Sequence, residues 1–430
     1  MTVWMSALAF ALFTAQVPPA PASDEGAALP LPIDAVSEMP APEPEIVPEV
    51  ALVPEPIAPT ASTSTSTQTS APISASTSTP ASDSVSTSAF DFGALRVGGF
   101  ARVGFSFVRD DPTVDFIGQS PGFEFAAARL ELSARPFDKA SVHLSIDAAA
   151  RQAGASGSEE YRLAARDVFI EYAAFPALVA RAGQFKAPFL AETLGCDADS
   201  LFLRNSIVER GLAPPVGYAA NGLGLGRQLG VSISSERLDV FGGIGVRYEV
   251  GVFNGTGENA LANDSGGGSL MPVARVELDY QRVARLGAAV AYGKRAQGTR
   301  PDQLDEENLS WTVDVSVSHH GVQLLAAYAQ NHRSFASLTP VVPDEVSRGA
   351  LAQISWRHPG TGLEPAYRFE LLEPSDLVDD TRVMHHAIGL NWKPAWLPVR
   401  IYAAYTLRIE AEARGLTNDG VELGAQLGFF

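Results

Sequence analysis

A period of two that recurs along this 430-residue chain, almost to its last residue, constrains its fold more than any other feature. In the final stretch Val421, Leu423, Ala425, Leu427 and Phe429 share one face, while Glu422, Gly424, Gln426 and Gly428 share the other. Side chains of an extended strand alternate sides, so this segment reads as a strand with one apolar and one polar face. A strand that closes a chain leaves an open edge unless it finds a partner, and pairing with the first strand closes a barrel. The pattern recurs upstream about every 20 residues, as strands and connections do in an outer-membrane β-barrel.

The recurrences are specific. Leu95, Val97, Ala101, Val103, Phe105 and Phe107 oppose Arg96, Arg102 and Ser106; Ala128, Leu130, Leu132 and Ala134 oppose Arg129, Glu131, Ser133 and Arg135. Val142, Leu144 and Ile146 oppose His143, Ser145 and Asp147; Ala274, Val276, Leu278 and Tyr280 oppose Arg275, Glu277 and Asp279; Tyr367, Phe369 and Leu371 oppose Arg368 and Glu370. A soluble β-sandwich also alternates. Three features favour a membrane barrel instead. Charges on the polar face of nearly every strand imply a wet interior, and Trp and Tyr near strand ends suit an interfacial belt. Short turns, Phe137-Asp138-Lys139 and Val283-Ala284-Arg285, alternate with longer connections.

About 340 residues at about 20 per strand plus connection predict about 16 strands, a size that leaves an aqueous channel. The expected fold is all-β, a transmembrane antiparallel β-barrel over residues 91–430, preceded by a disordered N-terminal tether. Composition agrees: 46% of residues are hydrophobic and the mean hydropathy is +0.05. Past Ala15 no run approaches the ~20 apolar residues of a membrane helix.

Val3 to Ala15 is an apolar run followed by Ala20-Pro21-Ala22, which fits a secretory signal over residues 1–22, although no Lys or Arg precedes the run. An N-terminal membrane anchor is the alternative, for which the run is short. Residues 23–90 hold no Lys or Arg and no aromatic before Phe90; an acidic, Pro-rich half gives way to a Ser/Thr-rich half. So little apolar surface predicts disorder, and proline stiffness with like-charge repulsion extends the segment. It reads as a periplasmic linker, either touching the cell wall or without a partner. Nine acids and no bases lie in residues 1–90, so the formal charge of −18 falls to −9 for the remainder (31 − 40). This acidic balance argues against nucleic acid as a partner. The single cysteine, Cys196, cannot form an intrachain disulfide. Asp197 and Asp199 beside it raise rather than lower a thiol pKa, so it reads as a passive loop residue.

The segment Ala180-Arg-Ala-Gly-Gln-Phe-Lys-Ala-Pro-Phe-Leu-Ala-Glu192 resembles the G-Q-F-K-x-P-F signature of the phosphate-selective porin O and P family. Gly226-Arg-Gln-Leu-Gly-Val231 and Tyr248-Glu-Val-Gly-Val-Phe-Asn-Gly-Thr-Gly257 extend the resemblance in order and spacing, over about residues 92–430. The resemblance implies a 16-stranded channel in the outer membrane of a Gram-negative cell, usually a homotrimer. It also implies a long third loop folded into the lumen, here roughly Pro188 to Gly226. Two departures stand out. Only four lysines are present, Lys139, Lys186, Lys294 and Lys393, in an acidic barrel. Counting back from Phe430, the barrel-assembly positions fall on Gly428, Gln426, Gly424 and Glu422, with the apolar set one residue out, on Phe429.

Such a channel passes small hydrophilic solutes by diffusion, and charge at the constriction sets its selectivity. Arginine suits anions such as phosphate, because its guanidinium stays charged and forks onto oxyanions. The lumen-facing candidates are Arg102, Arg129, Arg135, Lys186, Arg204, Arg210, Arg227, Arg275 and Arg368, with Glu131, Asp147, Glu277 and Glu370 as counter-charges. A network that only hydrates and stiffens the wall is the alternative. The expected partners are outer-membrane lipid, small anions and further copies of the chain; no cofactor or metal is implied. A barrel hydrolase would need a Ser/His pair on one side, and neither His319-His320 nor His385-His386 supplies it, since adjacent strand residues face opposite ways. The third reading is a structural anchor, the barrel in the membrane and the tether on the wall. Gly222-x-Gly224-x-Gly226 reads as loop flexibility, and Asn263-Asp264-Ser265-Gly266 as a turn.

Overall fold

The computed structural model describes residues 90–91, 95–153, 159–257, 259, 270–297, 304–336, 342–411 and 415–429. The signal and linker segments, Phe90 excepted, and the Asn263–Gly266 turn lie outside the described residues.

Sixteen antiparallel strands make the barrel. In chain order they are β1 (Leu95–Val108), β2 (Gln119–Phe137), β3 (Ala140–Ala153), β4 (Glu159–Phe175), β5 (Leu178–Lys186), β6 (Arg227–Ser234), β7 (Ile244–Phe253) and β8 (Met271–Tyr280). The second half comprises β9 (Ala284–Gln297), β10 (Leu304–His319), β11 (Val322–Ala336), β12 (Glu345–Trp356), β13 (Leu363–Glu373), β14 (Val383–Trp392), β15 (Val399–Glu410) and β16 (Gly420–Phe429). The segment Leu238–Phe241 continues β6 along the same neighbour, β7. Phe90–Asp91 pairs with Arg96 and Val97 at the start of β1, beyond the last residue of β1 that β16 reaches. β16 pairs with β1 from Gly420↔Val108 to Phe429↔Gly99, so the sheet closes as the terminal alternation predicts.

The alternation has an inverted meaning here. Most large apolar members of the strands face outward, with Leu427 57%, Ile388 64% and Val231 56% exposed. Polar members face inward and are buried, among them Arg102, Arg129, Asp147, Arg275, Glu364 and Arg400. Water would penalise that outer surface, whereas lipid accepts it, and closure leaves few backbone groups unpaired in hydrocarbon. At the short-turn end Phe137, Phe175, Phe241, Tyr280, Trp356 and Trp396 are exposed, forming an aromatic belt.

Two of the tight turns use left-handed residue pairs, Gly242–Gly243 (φ 58 and 82) and His320–Gly321 (φ 49 and 79), as short hairpins require. The turn expected at Val283-Ala284-Arg285 lies two residues earlier, at Gln281-Arg282-Val283. Gln281 and Arg282 take the left-handed conformation, and Ala284 already pairs with Tyr280 in the ladder. The β5–β6 connection, residues 187–226, contains α1 (Ala191–Leu194), a 3-10 turn (Asp197–Asp199) and α2 (Ile207–Arg210). Its Phe189, Leu190, Ile207, Val208, Leu212 and Leu223 share one buried cluster with inward residues Val273 of β8, Ala289 of β9, Leu351 of β12 and Leu372 of β13. This long loop is therefore folded inside the barrel.

An arginine at an outward position in mid-strand tests the assignment of faces. Val313→Arg on β10, 43% exposed in the native chain, is expected to cost about 2–4 kcal/mol in a bilayer. Denaturant titration of the protein in lipid vesicles measures it, and an unchanged midpoint would place that face away from lipid.

Candidate functional site

The G-Q-F-K-x-P-F segment fixes where the inner loop leaves the wall. Gly183 has φ +134 and sits so close to β4 that a Cβ would meet the Val168 carbonyl oxygen at 2.2 Å. Gln184 donates to the Ala165 and Arg166 carbonyls, each at 2.9 Å. Phe185 is fully buried, edge-on to Phe169 and Phe253, and the Arg181 guanidinium lies over the Phe169 and Phe185 rings at 4.8 and 5.1 Å. At the base of the loop the Ala187 amide donates to the Gly226 carbonyl at 3.0 Å.

Small inward residues make sockets for the loop's apolar side chains. A Cβ on Gly104 or Gly424 would lie 2.7 or 2.9 Å from the Leu203 methyls, and one on Gly349 would lie 2.8 Å from Val208. Phe202 packs with Ala366 and Ala387, beside Gly389. Ala198 meets Phe100 and Ala127. At these wall positions a larger residue would push the loop into the lumen.

Charge completes the attachment, and its hub is Asp197. Lys186 lies 2.7 Å from Asp197 Oδ1; Arg129 and Arg227 reach Oδ2, the latter at 3.2 Å. Arg102 donates to the Asp197 carbonyl at 2.7 Å and to Gln426 at 2.9 Å. Burial alone would raise the Asp197 carboxyl, but Lys186, Arg129 and Arg227 hold it well below the usual carboxylate range. Further along, Lys393 pairs with Asp199 at 3.1 Å, Arg400 donates to the Ser200 carbonyl at 2.8 Å, and Asn391 donates to the Leu201 carbonyl at 3.1 Å.

The remaining candidates divide. Arg275 donates to the Phe189 carbonyl at 2.7 Å and grips Asp314 at 2.8 and 3.0 Å. Arg204 pairs with Glu124 at 2.7 Å and Glu422 at 3.4 Å. Arg368 lies 4.3 Å over the Phe202 ring, contacts Glu370 and donates to the Arg204 carbonyl at 2.9 Å. Arg210 is exposed, and its Nε donates to the Asn205 carbonyl at 2.9 Å. Arg135 is exposed beside the β2–β3 turn, apart from the contacts that hold the inner loop. Of the four expected counter-charges, Asp147 lies 3.5 Å from Arg129, and Glu277 and Glu370 pair with Arg275 and Arg368.

Two sequence expectations need correcting. Gly222 and Gly224 serve close packing rather than flexibility: a Cβ there would lie 2.3 or 2.7 Å from the Glu209 carbonyl oxygen. The rings of His319 and His320 do not face opposite ways; their centroids are 3.9 Å apart, because His320 has left β10 for the turn. His385 and His386 do diverge, the first buried, the second hydrogen-bonded to Tyr367 at 2.8 Å. The sequence reading missed the anchoring role of Asp197 and Asp199 and the socket glycines. The glycines' signal was a small residue at an inward position where the pattern calls for a polar one.

Residues 100–319 match the family model described as "Phosphate-selective porin O and P". No curated protein matches the sequence. Solved structures share the fold at low identity. An anion-selective porin from Comamonas acidovorans is 14% identical, covering 78% of this chain and 99% of that one, with a TM-score of 0.54. The outer-membrane channel DcaP of Acinetobacter baumannii is 13% identical, covering 80% and 100%, with a TM-score of 0.52. OmpT of Vibrio cholerae in its trimer form is 12% identical, covering 78% and 98%, with a TM-score of 0.51.

Asp197→Asn leaves Lys186, Arg129 and Arg227 short of a counter-charge and is expected to cost on the order of 3 kcal/mol of loop attachment. Single-channel recordings should show larger open-level fluctuations; quiet, wild-type currents would contradict the hub. A lowered folded pKa contributes stability above the ordinary aspartate value of about 3.9, lost only as pH falls through the lower folded value. Wild-type currents should therefore stay quiet from pH 7 down to about 4.

Proposed function

Because this chain belongs to the phosphate-selective porin O and P family, we propose that the passive outer-membrane channel it forms prefers small anions, phosphate among them. The preference is set where the inner loop narrows the lumen, and the observation that carries it is the state of Arg210. Among the described residues the other inner-loop guanidinium, Arg204, and Lys186, Arg129 and Arg227 around Asp197 are paired with carboxylates, and Arg102 is buried against Gln426 and the Asp197 carbonyl, whereas Arg210 is exposed and makes no ion pair. Desolvation within the lumen, with Arg204 and Arg368, lowers its pKa, and Glu370 and Glu422 oppose them. A guanidinium remains charged through such shifts. A passing anion thus meets an uncompensated positive charge, while a cation meets carboxylates already occupied.

The other cations act behind this one. Arg102, Arg129, Lys186 and Arg227 hold the loop through Asp197, Arg275 and Arg368 hold its apolar anchors, and Arg204 fixes the stretch before α2. Arg135 stands at the short-turn mouth. The barrel assembles as a homotrimer, in keeping with the trimer form of a similar structure. Residues 1–22 are read as an export signal and 23–90 as a periplasmic tether, consistent with β1 starting at the short-turn end. The chain is taken as a channel and not as an enzyme; family and fold are those of a channel, so the anchor reading is not favoured.

Reversal potentials across planar bilayers in a KCl gradient are expected to show chloride permeating several-fold better than potassium. Arg210→Glu should bring that ratio to unity or below. A cation-preferring wild type would refute the proposal.

A further inference from the structure

Three cations at the short-turn end make no ion pair among the described residues, and they sit where the N-terminal segment reaches the wall. Arg96 on β1 stands opposite Ser133 of β2, so Arg135, two residues further along β2, is its diagonal neighbour on the same face. Diagonal neighbours lie about 7–8 Å apart, within reach of long side chains. Lys139 lies in the turn that follows, where its ammonium donates to the Ala174 carbonyl at 2.8 Å. All three are exposed. Other cations of this rim are occupied: Lys393 pairs with Asp199, and Arg357 and Arg400 share Glu364. Among the described residues neither Asp138 of the same turn nor Glu131 of β2 forms an ion pair with the three.

The sequence that precedes β1 has the opposite charge. Residues 1–90 carry nine acids and no bases, and six of those acids, Asp34, Glu38, Glu43, Glu45, Glu49 and Glu55, fall within one Pro-rich stretch. The end of this segment is already in place. Phe90 pairs with Val97 and Asp91 with Arg96, along the edge of β1 that β16 leaves open beyond Gly99. An acidic residue of the entering chain thus stands opposite one of the three cations. Glu55 lies 35 positions before Phe90 (90 − 55). A chain spans up to about 3.3–3.6 Å per residue, so the acidic stretch has length to spare for turning back onto the rim. Joined to the wall, it is present there at an effective concentration on the order of millimolar. Surface ion pairs that are weak singly then act together.

We infer that Arg96, Arg135 and Lys139 form a docking surface for the chain's own acidic, Pro-rich stretch, residues 34–55, at the periplasmic rim beside the β16–β1 seam. The inference rests on the reading of residues 23–90 as a periplasmic segment and is independent of the anion preference. Pro40, Pro42 and Pro44 alternate with the carboxylates of this stretch, and a polyproline conformation loses little further entropy when it lies on a surface. Docking supplies the counter-charge that the rim lacks, and it leaves selectivity to the constriction.

Lys139 makes the test direct, because the chain's other lysines, Lys186, Lys294 and Lys393, are engaged with Asp197, Glu307 and Asp199. A zero-length carbodiimide joins a carboxylate to an amine in contact with it. It is applied to the purified full-length channel in phosphatidylcholine nanodiscs, whose lipid carries no net charge and no primary amine, and the products are digested and read by mass spectrometry. Amide bonds between Lys139 and carboxylates of residues 34–55 are expected at low salt. They should be several-fold fewer in 1 M NaCl, where the screening length falls to about 3 Å. Arg135→Glu, at an exposed position, should lower the yield about five-fold, the upper worth of one surface ion pair. If that variant fails to assemble, the salt comparison on the wild type decides. No such bond, or equal yields in low and high salt, would overturn the docking surface. The intact mass of the same preparation separates the two readings. A chain that retains residues 34–55 yet forms no bond removes the docking alone, and a chain that lacks them removes the periplasmic-segment reading as well.

Discussion

Hydrocarbon offers no hydrogen bonds, so a sheet that crosses it must satisfy its own backbone, and an open edge is forbidden. The pairing of β16 with β1 meets that demand and dictates most of the remaining architecture. Once the sheet closes, the two faces of every strand belong to different solvents. Val231, Ile388 and Leu427 become the lipid surface, and Arg129, Asp147 and Arg275 become the interior. A sixteen-stranded wall leaves more room than its own side chains fill. The β5–β6 loop occupies part of that room.

Filling the lumen changes the status of its charges. Facing open water, an arginine needs no partner; beneath a packed loop it does, because desolvation costs several kcal/mol per ion. The interior answers with Asp197 between Lys186, Arg129 and Arg227, with Asp314 on Arg275, and with Glu364 on Arg400. Apolar sockets set the loop's position, and ion pairs across the gap hold it there. Selectivity is then left to the few charges outside this arrangement. A barrel that is acidic by composition can present a positive constriction, because net charge counts groups that have already neutralised one another.

Much of this was legible in the sequence, for a physical reason. Strand faces are set by a period of two, a local property, so the outward Val103, Val276 and Leu423 and the inward Arg102, Arg275 and Gln426 follow from order alone. The inner loop was visible through Gly183-Gln-Phe-Lys186 and its family resemblance. The partners of its charges were not. Arg227 meets Asp197 thirty residues away and Arg102 meets Gln426 from the other end of the chain. No periodicity encodes such contacts. Turn positions also slipped, at Gln281-Arg282 and His320, where residues other than glycine adopt left-handed conformations.

The central claim is that the inner loop is held within an aqueous lumen and forms its constriction. Cys196, the single cysteine, lies on that loop and is exposed. Partial desolvation among the surrounding lumen groups and the neighbouring Asp199 raise its thiol pKa, so labelling should be slow at neutral pH and faster at pH 9. The most direct test is to treat single channels in a bilayer with a bulky thiol-specific methanethiosulfonate reagent while recording current. Stepwise loss of conductance as Cys196 is modified is the predicted result. Complete modification, verified by mass spectrometry, with the current unchanged would contradict the account.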